Sequence, residues 1–216
     1  MACFLIADDH PLFRDALTTA LKRGFPNDQI FTSDSIEATR TLIENEGEPD
    51  LLLLDLNMPG SEGFFGLIHL RENFAAVPIV VISAMEDPVV IQRALAYGAS
   101  GFIPKSCPAE QIIAGIKTVI EGDCWVPDSL RLELERLPDE EKDFSDRVAT
   151  LTDQQFKVLM HLTEGRLNKQ IAYDLGISEA TVKAHITAIF RKLGVQNRTQ
   201  AVIAAAKLKL PETIGS

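Results

Sequence analysis

The chain is poor in cysteine, in aromatic residues and in long apolar runs. Its three cysteines, Cys3, Cys107 and Cys124, are odd in number, scattered and in no metal-ligand spacing. That pattern argues against a disulfide framework and against a zinc site, and fits a reducing compartment. No stretch approaches the ~20 apolar residues that a membrane helix needs. The N-terminus has no basic region, and the apolar run from Cys3 to Ala7 stops at two aspartates, too short for a signal peptide. The expectation is a soluble, cytoplasmic protein with no membrane partner.

What the chain does have is enough length, 216 residues, and enough apolar content, 46%, for two small domains with cores of their own. The net charge of −10 is unevenly spread. Residues 1–124 carry 18 acidic and 8 basic side chains, net −10; residues 125–150 carry 8 and 4, net −4; residues 151–216 carry 5 and 9, net +4. An acidic front and a basic back suggest two modules with different partners, the rear one suited to a polyanion.

The front is organised around Pro49-Asp50-Leu51-Leu52-Leu53-Leu54-Asp55-Leu56-Asn57-Met58-Pro59-Gly60. Four consecutive leucines between turn signals predict a parallel strand covered on both faces, with Asp55 at its carboxyl end. Ligands of open α/β sheets bind at those strand ends. Cys3 to Ala7 is a second strand candidate and stops at Asp8-Asp9; Gln29 to Thr32 is another; Pro78 to Ile82 stops at Ser83; Gly101 to Ile103 precedes Lys105. Between them lie helical patterns over Leu12–Leu21, Ser35–Asn45, Phe64–Phe74, a segment opened by Asp87-Pro88, and Pro108–Gly122. The predicted fold is α/β, a flavodoxin-like, doubly wound (βα)5 domain. Its strand ends gather Asp8, Asp9, Asp55, Ser83 and Lys105. Three clustered carboxylates repel one another and call for a cation, and an all-oxygen ligand set without His or Cys favours Mg²⁺. A carboxylate there can attack a phosphoryl group while the metal and a lysine neutralise its oxygens and a hydroxyl donates one hydrogen bond. Asp55 is the expected nucleophile. Taken singly each of these residues has a bland reading, as cap, turn or solvated side chain; jointly, at successive strand ends, they do not.

In order and spacing these residues resemble the receiver domain of bacterial response regulators over residues 1–124. The resemblance implies phosphorylation of Asp55 by a sensor histidine kinase. It also implies direct Mg²⁺ ligation by Asp9, Asp55 and the backbone carbonyl of Asn57, with Asp8 acting through water. Ser83 falls at the family's switch hydroxyl, Phe102 at its switch aromatic and Lys105 at its lysine. Ser106 stands where the family often has proline.

Trp125-Val126-Pro127 closes the first module. Residues 125–150 read as an acidic linker, with a short amphipathic helix on Leu130, Leu132, Leu134 and Leu137 up to Pro138, and a solvated tether at Asp139-Glu140-Glu141-Lys142-Asp143. Residues 151–216 form a small all-α domain. Thr152 with Gln155 makes a capping box and Leu151 with Phe156 a hydrophobic staple; Asn168 is expected to cap a second helix and Ser178 a third, with Gly176-Ile177 at the turn. This is a helix-turn-helix pattern. On the third helix Val182, Ile186, Ile189 and Leu193 line the core face, and Ala180, Lys183, Ala184, Thr187 and Arg191 line a face suited to a major groove.

The run Asn168-Lys169-Gln170-Ile171-Ala172, Leu175-Gly176-Ile177-Ser178-Glu179, Thr181-Val182-Lys183-Ala184-His185, Arg191-Lys192-Leu193-Gly194-Val195 resembles the LuxR-type (NarL/FixJ-type) helix-turn-helix. That resemblance implies base contacts from Lys183, Ala184 and Thr187, and backbone contacts from Asn168, Lys169, Thr181 and Lys192. A last helix, Thr199 to Lys209, has Val202, Ala205 and Ala206 on one side, small enough for two copies to meet about a twofold axis on palindromic double-stranded DNA. The combined expectation is a DNA-binding response regulator and not an enzyme, acting as a homodimer on DNA. A phosphorylation-dependent protein-binding adaptor and a Mg²⁺-dependent phosphohydrolase are the alternatives from other classes.

Overall fold

The computed structural model describes residues 1–59, 63–136 and 139–206. Gly60, Leu137, Pro138 and the end of the last predicted helix lie outside them. The chain divides into two compact units, Met1–Lys142 and Asp143 onward.

In the first unit five strands, β1 (Cys3–Ala7), β2 (Gln29–Ser33), β3 (Leu51–Leu54), β4 (Ile79–Ser83) and β5 (Gly101–Pro104), alternate with α1 (Pro11–Gly24), α2 (Ile36–Glu46), α3 (Phe65–Asn73), α4 (Pro88–Ala96) and α5 (Ala109–Ile120). All strand pairs are parallel, in the order β2-β1-β3-β4-β5. This is the flavodoxin-like order, in which the crevice at the switch between β1 and β3 faces the carboxyl ends. The four leucines of β3 are fully buried, as a central strand covered by helices on both faces requires. Local chemistry sets the helix starts: Ser35 accepts from the Ala38 amide, and Asp87 accepts from Val89 N–H at 2.8 Å ahead of Pro88. No cis peptide occurs among the described residues, so Lys105–Ser106 is trans.

After β5 the chain returns along the sheet. Trp125 forms an isolated parallel bridge to Gly101, its carbonyl accepts from Phe102 N–H at 2.9 Å, and its ring lies against Gly115 of α5. A helix α6 (Asp128–Glu135) follows and packs on α4, with Leu130 buried and Leu132 exposed.

The expected tether at 139–143 is instead the start of a helix, α7 (Asp139–Ala149). Its charges mask a sparse apolar stripe: Val148 is buried and Phe144 half-buried, one turn apart, while Asp143 and Arg147 pair four residues apart.

The second unit is helical: α8 (Asp153–Thr163), α9 (Asn168–Asp174), α10 (Glu179–Leu193) and α11 (Arg198–Ala206). The capping box at α8 has both bonds, Gln155 N–H to Thr152 Oγ1 at 3.3 Å and Thr152 N–H to Gln155 Oε1 at 3.2 Å; Leu151 and Phe156 are both buried. Asn168 is the first helical residue of α9 rather than its cap. Leu167 holds the cap position, and its amide donates to Gln170 Oε1 at 2.8 Å. Glutamine three residues on thus satisfies the helix start without a capping side chain.

Candidate phosphoacceptor site and nucleic-acid interface

The carboxyl ends of β1, β3, β4 and β5 bring together the side chains the sequence singled out. Asp8 and Asp55 are each only 2% exposed. Lys105, just beyond β5, reaches both: its Nζ lies 2.7 Å from Asp8 Oδ2 and 2.8 Å from Asp55 Oδ2. The same ammonium sits 4.8 Å above the centroid of the Phe13 ring. Backbone bonds fix the strand ends, from Asp55 N–H to Ala7 O and from Lys105 N–H to Ser83 O, both at 2.8 Å. Ser83 is buried, and its Oγ accepts from Met85 N–H at 3.2 Å. Phe102 is fully buried within β5.

Burial pushes the Asp55 carboxyl above its ordinary value. Hydrogen bonding and charge from Lys105 oppose the rise, Asp8 adds to it, and the Asn57 amide opposes it. Three carboxylates against one ammonium leave a surplus of two negative charges, the charge of one divalent cation. Asp8 Oδ2 and Asp9 Oδ1 are buried yet accept no aligned hydrogen bond; Lys105 faces the first as a charge contact and His10 the second. This donor set fits a metal ion: Asp8, Asp9, His10 and Asp55 each offer one atom, all within 4.8 Å of one another.

His10 is the residue that sequence reasoning passed over, and it stands beside the carboxylates. It occupies the cap position of α1, and its Nδ1 lies 2.8 Å from Asp9 Oδ1, 3.2 Å from Asp8 Oδ1 and 3.9 Å from Asp55 Oδ2. The available signal was its place directly after the acidic pair.

In the second unit Ser178 caps α10, accepting from Thr181 N–H at 3.0 Å. Val182, Ile189 and Leu193 are buried, and Ala180, Lys183, Ala184, Thr187 and Arg191 are all exposed along one face. Lys183 pairs with Glu179 at 3.2 Å, and Thr187 Oγ1 donates to the Lys183 carbonyl. Thr181 and Lys169 are exposed and Asn168 half-buried. Lys192 departs from the group: its Nζ donates to Thr150 O at 2.6 Å and Gln155 Oε1 at 2.7 Å. On α11 the expected apolar stripe divides. Ala205 is buried in its own unit, whereas Ala206 is exposed and Ile203 is 66% exposed.

Residues 4–117 match the response regulator receiver domain, and residues 149–205 match the bacterial regulatory proteins of the luxR family. The chain belongs to the NarL/FixJ family of two-component response regulators. It is 42% identical over 209 residues to the glycerol metabolism activator of Pseudomonas putida, covering 94% of this chain and 95% of that protein. It is 32% identical over 216 residues to the oxygen regulatory protein NreC of Staphylococcus epidermidis, covering 96% and 98%. Among solved structures the RcsB response regulator of Salmonella typhimurium shares the fold, with a TM-score of 0.59 at 21% identity over 95% of this chain and 98% of that one. This response regulator is therefore a DNA-binding transcription regulator, a receiver joined to a LuxR-type helix-turn-helix. No helix among its described residues is long and apolar enough to cross a membrane.

Proposed function

We propose that Asp55 accepts a phosphoryl group from a sensor histidine kinase and that the modified receiver changes the DNA affinity of the C-terminal domain. The observation that carries this is the bridging Lys105 ammonium, 2.8 Å from Asp55 and 2.7 Å from Asp8. A carboxylate oxygen of Asp55 attacks phosphorus, the bond from phosphorus to the kinase imidazole nitrogen breaks, and that nitrogen keeps the electron pair. Lys105 then moves its charge from the free carboxylate to the phosphoryl oxygens, and the Ser83 hydroxyl donates to one of them. Asp9, Asp55 and the Asn57 carbonyl would hold Mg²⁺ directly and Asp8 would hold it through water, and the ion would neutralise charge on the phosphoryl oxygens. Ser83 and Phe102 pass the change onward as a two-state element, because at most two added charges cannot act through bulk field.

Residues 1–124 receive the phosphoryl group, 125–150 link, and 151–216 bind double-stranded DNA. Lys183, Ala184 and Thr187 meet base edges; Asn168, Lys169 and Thr181 meet phosphates. Lys192 reaches phosphate only by giving up its bonds to Thr150 and Gln155. Two copies bind a palindromic site in the cytoplasm, and the protein turns over no metabolite.

The test is a DNA-shift titration on a selected random pool, with and without Mg²⁺ and a beryllofluoride mimic of the phosphoryl group, alongside kinase labelling. Tighter binding with the mimic, and acid-stable, base-labile label absent from Asp55→Asn, are the expected results. Label retained in Asp55→Asn removes Asp55 as acceptor.

A further inference from the structure

Helix α7 precedes the residues that match the luxR family, yet its last turn is tied to the last turn of the recognition helix α10. The Arg147 guanidinium donates from Nη1 to the Leu193 carbonyl at 3.3 Å, and the Lys192 ammonium donates to the Thr150 carbonyl at 2.6 Å. The end of each helix thus lends a cation to a carbonyl at the end of the other. The last carbonyls of an α-helix have no partner within it, and the helix dipole favours cations there. Arg147 is itself held. Its other terminal nitrogen pairs with Asp143 one turn back, and its carbonyl accepts from both the amide and the hydroxyl of Thr150, at 3.2 and 2.7 Å. Val148, the next residue, is buried. Gly194 makes room for the contact: at φ 70° it ends α10 in the left-handed region, and a Cβ there would lie 2.5 Å from Arg147 Nη1.

We propose that Arg147 is a positioning residue for DNA binding, fixing α10 to α7 so that the state of the receiver reaches the recognition helix through α7. This rests on the reading that the modified receiver changes DNA affinity, and names the element and the side chain that carry the change. Helix α7 starts at Asp139 and the second unit at Asp143, so one unbroken helix brings the chain into that unit. The clamp holds α10 at Lys192 and Leu193, beyond the exposed Lys183, Ala184 and Thr187. It can therefore steady or release the DNA-reading face without taking its place on DNA. Coupling between sites needs an element with two arrangements that both sites bias. Here one is the clamp closed, as in the structure, and the other is the clamp open with its carbonyls returned to water. The Arg147 side chain is 44% exposed, so water replaces the lost partners and the two arrangements differ by little. The closed clamp is the DNA-binding arrangement, and the phosphorylated receiver favours it.

The decisive experiment uses the full-length chain and a selected DNA site. The DNA Kd is measured with and without Mg²⁺ and the beryllofluoride mimic for wild type, Arg147→Ala and Arg147→Lys. Amide exchange is followed at Gly194 and Val195, whose N–H groups close the end of α10 on the Phe190 carbonyl. Arg147→Ala is expected to weaken binding about fivefold in the presence of the mimic, to change it less in its absence, and to speed exchange of both amides. Arg147→Lys, which keeps a cation and a donor, should recover most of the response to the mimic. Should alanine unfold the second unit, Arg147→Gln, which keeps the stem and loses the charge, is read in the same way. An equal loss of affinity in both states means that Arg147 only stabilises its unit, and the proposal is overturned. A full response to the mimic in Arg147→Ala with unchanged amide exchange also overturns it, and leaves receiver control of DNA binding standing. If wild type binds DNA equally well with and without the mimic, receiver control and the proposal fall together.

Discussion

At Lys105 one ammonium holds two buried carboxylates, and its loss leaves them facing each other. Removing one partner of a buried pair costs more than the pair contributes, because an uncompensated charge stays in the interior. Lys105→Ala is expected to lower receiver stability by about 3 kcal/mol at neutral pH, a deficit that shrinks on acidification and with added Mg²⁺; urea unfolding checks it. Asp55 has the opposite sign. Its carboxyl titrates above the ordinary 3.8 chiefly because it is buried, so its ionised form is less stable folded than unfolded. The penalty is absent below 3.8 and grows as pH rises through the folded value. Asp55→Asn should therefore be more stable than wild type in metal-free buffer at neutral pH. That advantage should fade as pH falls toward 3.8, measured as thermal midpoints across the range. The residues of this cluster were legible in the sequence because strands buried on both faces can end only in turns, and polar groups placed there share one crevice. His10 was not, since a histidine after two aspartates reads as surface until the turn into α1 folds it back over them.

At the scale of elements, caps and packing set the helices. Ser178 caps α10, and Ser178→Ala is expected to cost about 1 kcal/mol in the second unit and to weaken DNA binding with it; guanidinium unfolding and a binding isotherm on the same sample separate the two. Lys169 and Lys192 make a contrast. Lys169 is exposed, and Lys169→Ala should leave stability unchanged while reducing the log–log salt slope of DNA binding by about 1. Lys192 joins the last turn of α10 to Thr150 and Gln155, so Lys192→Ala should cost about 1 kcal/mol of folding first. The β-strands and most helices could be read from apolar runs and turn residues. Helix α7 could not, because its stability lies in a two-residue stripe, Phe144 and Val148, too short to register against the surrounding charge. The division of α11 was hidden for a related reason. Alanine fits a core and a close contact between copies equally well, and only burial within its own unit selects the first for Ala205.

Across the molecule, each unit closes a core of its own, one around the parallel sheet and one among the helices of the second unit. Receiver substitutions such as Asp55→Asn should move one calorimetric transition and Ser178→Ala another, and movement of both by either change would mean the units unfold as one. Charge was the feature that made this plan visible in advance, since −10 on residues 1–124 and +4 on residues 151–216 cannot serve the same partner. The junction carries a further consequence. Trp125 is the only tryptophan in the chain; its carbonyl is tied to the amide of Phe102, and its ring lies against Gly115. The protein thus carries its single tryptophan fluorophore where the sheet hands over to the linker. Its emission reports, without any label, whether a change around Phe102 travels past the end of the receiver.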